Sequence, residues 1–310
     1  MNVLAVDGGG TKTALAVVDQ DGRVLYRAAG GGINPFDQSD WVRDLRALLD
    51  AVGQPYGAAA LALPGYGEAE VVTVQQHGVA ASLGVPHAVL NDVDAAQLGA
   101  FAGGPGLLIL AGTGSMVWGR DAAGTTLRVG GWGDLLGDEG SAYWTGLRAL
   151  NGLTRALDGR ISRTPLHDRL LGALQHTDTE ETNSDDSLLS WLVGLRHPRS
   201  QIAGLARQLD SWAEAGDADA ARLLEEAAAE LALLARTAQA RLPELGAAWS
   251  LAGSFTRSAT VQRVLWRELG ADNFHPATLP PLGGAALAAA RVAGWNVTPD
   301  WIARLSAALQ

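Results

Sequence analysis

Along the chain, short apolar runs bounded by glycine alternate with longer stretches where Leu, Val and Ala recur at helical spacing. Val3–Val6 and Ala14–Val18 flank Asp7-Gly8-Gly9-Gly10-Thr11-Lys12-Thr13, which predicts two buried strands joined as a tight hairpin. The polar turn at Gln20-Asp21-Gly22-Arg23 leads into a third strand, Val24-Leu25-Tyr26, and Gly30–Phe36 reads as a connecting loop. A helix over Trp41–Val52, a strand over Ala58–Leu63 and a helix over Val71–Leu83 follow, the last carrying His77 as a surface residue. The strand Ala88–Leu90 then ends at Asn91-Asp92, where an Ala-rich helix begins.

After Gly103-Gly104-Pro105-Gly106 the opening pattern returns. Leu107–Ala111 and Met116–Arg120 flank Gly112-Thr113-Gly114-Ser115, a polar turn follows at Asp121-Ala122-Ala123-Gly124, and Thr125–Val129 is again a third strand. Such a repeat predicts two similar domains, each presenting a glycine hairpin to a shared cleft. Helices are expected over Ala142–Leu157, Pro165–Leu174, Ile202–Ala215 and Ala218–Leu242, with a polar surface loop over Thr177–Asp186 and helix again from Ser187. The Leu and Ala stripes of the long helices read as core. Near the end come a strand with a Gly253-Ser254 turn, a small-residue helix over Leu282–Ala290 and a final helix over Asp300–Leu309 that returns to the first domain.

Composition narrows the chemistry. A chain of 310 residues with 47% hydrophobic content can build two cored domains. No apolar run approaches the roughly 18 residues a membrane span needs, and no basic-then-apolar leader is present, so no membrane is expected and the setting is a bacterial cytoplasm. Cysteine is absent, which removes disulfides, thiolate metal sites and iron–sulfur clusters. The net charge of −10 argues against nucleic acid as a partner. Among 23 basic residues the single lysine is Lys12, inside the first glycine turn.

Glycines let backbone N–H groups approach a phosphate with no Cβ in the way, and Thr11 and Thr13 add hydroxyl donors. Asp7 can hold a phosphate-bound Mg²⁺ directly or through water. An ordinary Gly-rich hairpin accounts for one such turn, less readily for two in a repeated frame. Asp92 and Asp94 stand at a strand-to-helix junction, where one can cap the helix while the other faces the cleft. The loop Gly130–Ser141 carries three acids ahead of a helix starting near Ser141, and a capping role explains only one of them.

These stretches resemble the N-acetylglucosamine kinases and the related BadF/BadG-type ATPases, within the actin-like sugar-kinase superfamily. The resemblance covers nearly the whole chain and is most specific at Gly130-Gly131-Trp132-Gly133-Asp134-Leu135-Leu136-Gly137-Asp138-Glu139-Gly140-Ser141-Ala142-Tyr143-Trp144. It implies an α/β, two-domain actin-like ATPase (ribonuclease H-like) fold with duplicated β-meander sheets and an interdomain cleft. The first domain would comprise residues 1–104 with a C-terminal helix at about 294–310, and the second residues 105–293 with helical insertions. Gly9, Gly10, Thr11, Lys12, Gly112, Thr113, Gly114 and Ser115 would bind ATP phosphates, Gly253 and Ser254 would cup the adenosine, and Asp7 would position Mg²⁺. Asn34, Asp92, Ser115, Gly131, Trp132 and Asp138 would meet the sugar, with Phe36 near its acetamide and Asp92 as general base. Pro64 departs from the small residue usual in the loop after the fourth strand.

The expected reaction is ATP-dependent phosphorylation of the 6-hydroxyl of an amino sugar, N-acetylglucosamine first, with glucosamine or a BadF-type ATPase acting on a partner protein as alternatives. The cluster-bearing ATPase branch lacks its cysteines here. A sugar-sensing repressor would need a DNA-binding segment ahead of the first strand, and none is expected. A homodimer is compatible with the family.

Overall fold

The computed structural model describes residues 1–174 and 184–310. The first sheet has the order β3-β2-β1-β4-β5 and the second the order β8-β7-β6-β9. In the first, β1 (Val3–Gly8) pairs antiparallel with β2 (Lys12–Val18), which pairs antiparallel with β3 (Val24–Gly31). On its other side β1 runs parallel to β4 (Ala58–Leu63), and β4 parallel to β5 (His87–Asn91). The second sheet repeats this plan with β6 (Gly106–Ala111), β7 (Ser115–Arg120), β8 (Thr126–Gly130) and, parallel to β6, β9 (Trp249–Ala252). The duplicated meander expected from the two glycine turns is therefore present.

Buried alternation explains the layers. Leu4, Val6, Leu15 and Val17 face α1 (Trp41–Asp50) and α2 (Glu70–Ala81), where Trp41, Leu45 and Val79 complete one core. Val3, Ala5, Ala16 and Val18 face the opposite way, onto Leu282, Ala286 and Ala289 of α10 (Pro281–Val292) and Trp301 and Leu305 of α11 (Pro299–Leu309). This corrects the expected boundary at 293: α10 lies on the first sheet, because its small residues fit against the equally small Ala58, Ala60 and Ala62 of β4. The long helix α8 (Ala218–Arg241) covers the second sheet with α9 (Ala259–Leu269), its Ala and Leu stripe fully buried as expected. A separate core joins α4 (Ala142–Leu157), α5 (Pro165–Leu174) and α7 (Pro198–Glu214). Helix α6 spans Ser184–Val193, and most of the polar loop expected over Thr177–Asp186 lies outside the described residues. Among the described residues no helix is long and apolar enough to cross a membrane.

Helix α3 (Asp92–Ala100) crosses α10 within the first half. A Cβ added at Gly284 would sit 1.8 Å from the Ala95 carbonyl oxygen and 2.6 Å from the Gly99 nitrogen. Both obstacles are backbone, so neither can rotate away. Gly284→Ala is expected to destabilise the fold by about 3 kcal/mol, the upper range for overpacking, read as a lowered midpoint in chemical denaturation. The other face of α3 presents Val93, Ala96 and Ala100 to Leu108 of the second sheet. There Asp94 accepts a 2.6 Å hydrogen bond from Arg120 and a 3.1 Å one from the Trp118 indole. Asp94 thus ties α3 to β7 and does not cap the helix, contrary to expectation.

Candidate active site

The two glycine turns close alike. Gly9 N–H donates to the Lys12 carbonyl at 2.9 Å, and Gly112 N–H donates to the Gly114 carbonyl at the same distance. Among the described residues the N–H groups of Gly10, Thr11, Thr113 and Gly114 find no backbone acceptor. Each turn therefore offers two free donors, with exposed Gly10, Thr11 and Lys12 in the first, which is what an anionic phosphate requires. Thr13 is not available. It is fully buried and its hydroxyl donates to the Gly31 carbonyl at 2.8 Å. That bond also explains why β3 extends through Gly30 and Gly31, which were expected in a loop: they pair with Thr13 and Lys12.

The loop after β3 lies directly on the first turn. Ile33 N–H donates to the Gly9 carbonyl at 3.0 Å, and a Cβ at Gly32 would lie 2.0 Å from the Gly10 carbonyl oxygen. Asn34 sits just beyond, its side chain accepting from Phe36 N–H and donating to Asp37, so it shapes the loop that carries it. Phe36 is exposed, and its ring edge closes on Gly65, where an added Cβ would stand 2.7 Å away.

The loop after β4 is pinned from three sides. Buried Gln76 donates to the Pro64 carbonyl at 2.9 Å, Asn91 donates to the Tyr66 carbonyl at 3.1 Å, and Tyr66 hydroxyl meets His77 at 3.3 Å. His77 is on the surface, as expected.

β1, β4 and β5 are parallel and end on one line, Asp7 beside Ala62 and Leu63 beside Asn91. Asp7 and Asp92 therefore stand about two strand spacings, roughly 10 Å, apart along the same sheet edge. Asn91, rather than either aspartate, is the N-cap of α3, accepting from Val93 N–H at 3.0 Å; Asp92 accepts from the same N–H at 3.0 Å. Burial pushes the Asp7 carboxyl up to about 6, against the pull of Lys12. Burial pushes Asp92 up to about 7, reinforced by the charge of Asp7 and, more weakly, of Glu68, against hydrogen bonds from backbone N–H groups. A carboxyl that titrates near neutrality at the end of a strand is suited to accept a proton from a hydroxyl.

Val93, next to Asp92, shares an apolar cluster with Leu110, Met116 and Ala252. Those residues lead directly into the Gly112–Ser115 and Gly253-Ser254 turns, so the roots of the second half's turns sit beside the start of α3. Gly253 has φ +93°, and an added Cβ would lie 2.3 Å from the Ala111 carbonyl oxygen, which packs this turn against the second glycine turn. Ser254 beside it is exposed.

In the loop after β8, Gly131 has φ +72° and rests against Met116. Trp132 is 65% exposed, with the Arg128 guanidinium 5.2 Å from its ring centroid. Ser141, not an acid, caps α4, accepting from Trp144 N–H at 3.1 Å. Ser115 is spent on fastening this loop: its hydroxyl donates to the Glu139 carbonyl at 2.6 Å and its N–H to Asp138 at 3.3 Å. Asp138 is buried at φ +60°, and its second oxygen accepts from Arg199. Arg199 and Glu68 were not anticipated. Arg199 comes from α7, 61 positions from Asp138, and no spacing in the sequence links them.

Residues 4–289 match the BadF/BadG/BcrA/BcrD ATPase family. The chain belongs to that family. It is 30% identical over 242 residues to the N-acetylmuramic acid/N-acetylglucosamine kinase of Clostridium acetobutylicum, covering 74% of this chain and 77% of the relative. A glucosamine kinase of Vibrio cholerae is 29% identical over 250 residues, covering 74% and 77%. A structure from Chromobacterium violaceum, provisionally assigned as an N-acetylglucosamine kinase, superposes with TM-score 0.76 at 26% identity, over 93% of this chain and 98% of the other. A ROK-family glucokinase from Streptomyces griseus, solved with glucose and AMPPNP, shares the fold at TM-score 0.53 and 20% identity, over 93% and 98%. The family member described here thus has the actin-like, duplicated α/β fold of the sugar kinases.

Proposed function

We propose that this ATPase-family protein is an ATP-dependent kinase that phosphorylates the 6-hydroxyl of an amino hexose, N-acetylglucosamine first and glucosamine second. The observation that carries the reading is Asp92, raised to about 7 beside two turns that each present free N–H donors. Its relatives named as amino-sugar kinases point the same way.

In this reading, Gly10, Thr11, Thr113 and Gly114 N–H groups and Lys12 bind the ATP phosphates, and Gly253-Ser254 borders the adenosine. Asp92 takes the proton of the sugar 6-hydroxyl as that oxygen attacks the γ-phosphorus. The O6–P bond forms, the bond from the γ-phosphorus to the β,γ-bridging oxygen breaks, and ADP leaves with the electron pair. No group of three or more His, Cys, Asp or Glu fit to cage a metal occurs among the described residues. One carboxylate, Asp7, together with nucleotide phosphates fits Mg²⁺, which keeps several waters and neutralises phosphate charge when bound.

Only ionised Asp92 can accept the proton, so kcat/KM is expected to rise with pH through about 7. Glu68 pushes that value up, so Glu68→Gln is expected to move the acid limb of the profile to lower pH. An unmoved limb would remove Glu68 from the electrostatics of the base. The reading itself is tested by coupled ADP release over a panel of amino and neutral hexoses. Release that depends on N-acetylglucosamine or glucosamine supports it. Release indifferent to every sugar would instead favour an ATPase acting on a partner protein.

A further inference from the structure

We propose that Arg199 is a catalytic residue of this kinase: its guanidinium binds the phosphoryl group during transfer, at the second glycine turn. The proposal rests on the reading of the site as a sugar kinase and adds a residue from outside the repeated frame. Arg199 lies in the first turn of α7, part of the helical layer of α4, α5 and α7 and remote in sequence from both phosphate turns.

Its placement is specific. A Cβ added at Gly114 would meet a terminal nitrogen of Arg199 at 2.7 Å and the two carboxylate oxygens of Asp138 at 2.9 and 3.0 Å. The glycine is thus needed for the guanidinium to lie on the turn itself. That same nitrogen donates to Asp138 at 2.5 Å, which aims the group. The rest of the fork is uncommitted. The Nε atom is buried without a hydrogen-bond partner, its nearest carboxylate being Asp134 at 3.8 Å. The side chain remains 38% exposed, so the guanidinium is anchored at one corner and open at another.

A plain structural staple between α7 and the Asp138 loop is the competing explanation. An arginine serving only that end would be expected to use its fork on both carboxylate oxygens, the strong bidentate arrangement. Here the Asp138 oxygen that Arg199 does not reach takes the Ser115 N–H instead, and the guanidinium is left with donors beside the free N–H groups of Thr113 and Gly114. Two kinds of donor, backbone N–H groups and a guanidinium, then converge on one turn. Lys12 supplies the corresponding charge at the first turn. Phosphoryl transfer spreads negative charge over the three equatorial oxygens, and a planar, permanently charged fork placed there in cis stabilises it without making or breaking a bond. O6 still forms the new bond, ADP still departs with the electron pair, and the proton still goes to Asp92.

The test compares wild type, Arg199→Ala and Arg199→Lys for kcat, and for equilibrium binding of N-acetylglucosamine, ADP and the non-hydrolysable ATP analogue AMPPNP. Arg199→Ala is expected to lower kcat about 10²–10³-fold, the usual loss for one preorganised donor to developing charge. It is expected to weaken AMPPNP about tenfold while ADP and sugar affinities stay within about twofold. Arg199→Lys, which keeps the charge and loses the fork, is expected to fall between the two. A staple acting through Asp138 predicts the reverse, weaker sugar binding with the AMPPNP-to-ADP ratio unchanged, and that result overturns the proposal. If the alanine variant does not fold, the lysine variant carries the same comparison: a wild-type kcat and nucleotide ratio there overturn it. Should no sugar be phosphorylated by wild type, the kinase reading fails, whereas the nucleotide ratio still reports on Arg199.

Discussion

Asp92→Asn is expected to lower amino-sugar phosphorylation about 10²–10⁴-fold, the usual contribution of a positioned general base, and to raise the melting temperature at pH 8. The two effects have one cause. Asp92 lies in a site that disfavours its charge, and Asp7 adds a second negative charge nearby. Its value in the fold is about 7 against an ordinary 3.8, so the stability it contributes is complete below about pH 4 and is lost as pH rises through about 7. Asparagine carries no charge to bury, and the gain at pH 8 should be roughly 1–3 kcal/mol once partial exposure is allowed for. The helix start is not at risk, because Asn91 is the N-cap of α3 and keeps its bond from Val93 N–H. Thermal melts at pH 4 and pH 8 with parallel activity assays check both halves. A variant that keeps its activity and melts earlier at both pH values would make Asp92 a structural residue of the helix end.

Gly32→Ala is the second change expected to be severe. An added Cβ would stand 2.0 Å from the Gly10 carbonyl oxygen, 2.5 Å from its carbon and 2.8 Å from the Thr11 nitrogen. All three are backbone atoms of the first glycine turn, and Gly10 and Thr11 carry its two free donors. The methyl group must push that turn aside or push β3 away from β2. A displacement on the order of 1 Å in positioning groups can cost about 10²-fold in rate. Turnover should fall by about that much with a higher KM for ATP, while sugar binding measured in the absence of nucleotide stays close to wild type. Unchanged ATP kinetics would mean that the first turn does not hold phosphates.

Both predictions draw on parts that were legible in the sequence to different degrees. The hairpins and their repeat were plain because strand period and glycine turns are local signals, and Val3–Gly8 and Gly106–Ala111 fall where the apolar runs place them. Asp92 was legible as a strand-end acid, since the strand ends one residue earlier. Three features were not. The first-sheet position of α10 depends on its small residues meeting Ala58, Ala60 and Ala62 of β4, contacts between segments far apart in the chain. The partner of Asp94 is Arg120 on another sheet, 26 positions away, so capping looked sufficient. Arg199 sits on a helix whose apolar stripe announces a core and says nothing of its polar face. In each case the missing information was tertiary, and only local chemistry can be read from spacing.

The most direct test of the kinase reading is the product itself. N-acetylglucosamine, ATP and Mg²⁺ are incubated with the protein, and the mixture is followed by phosphorus and carbon NMR. The expected result is one sugar phosphomonoester per ADP, with phosphorus coupling to carbon 6 and its protons, and none of it in the Asp92→Asn variant. ADP accumulating with inorganic phosphate alone, or phosphate on any other sugar carbon, would contradict phosphorylation of the 6-hydroxyl.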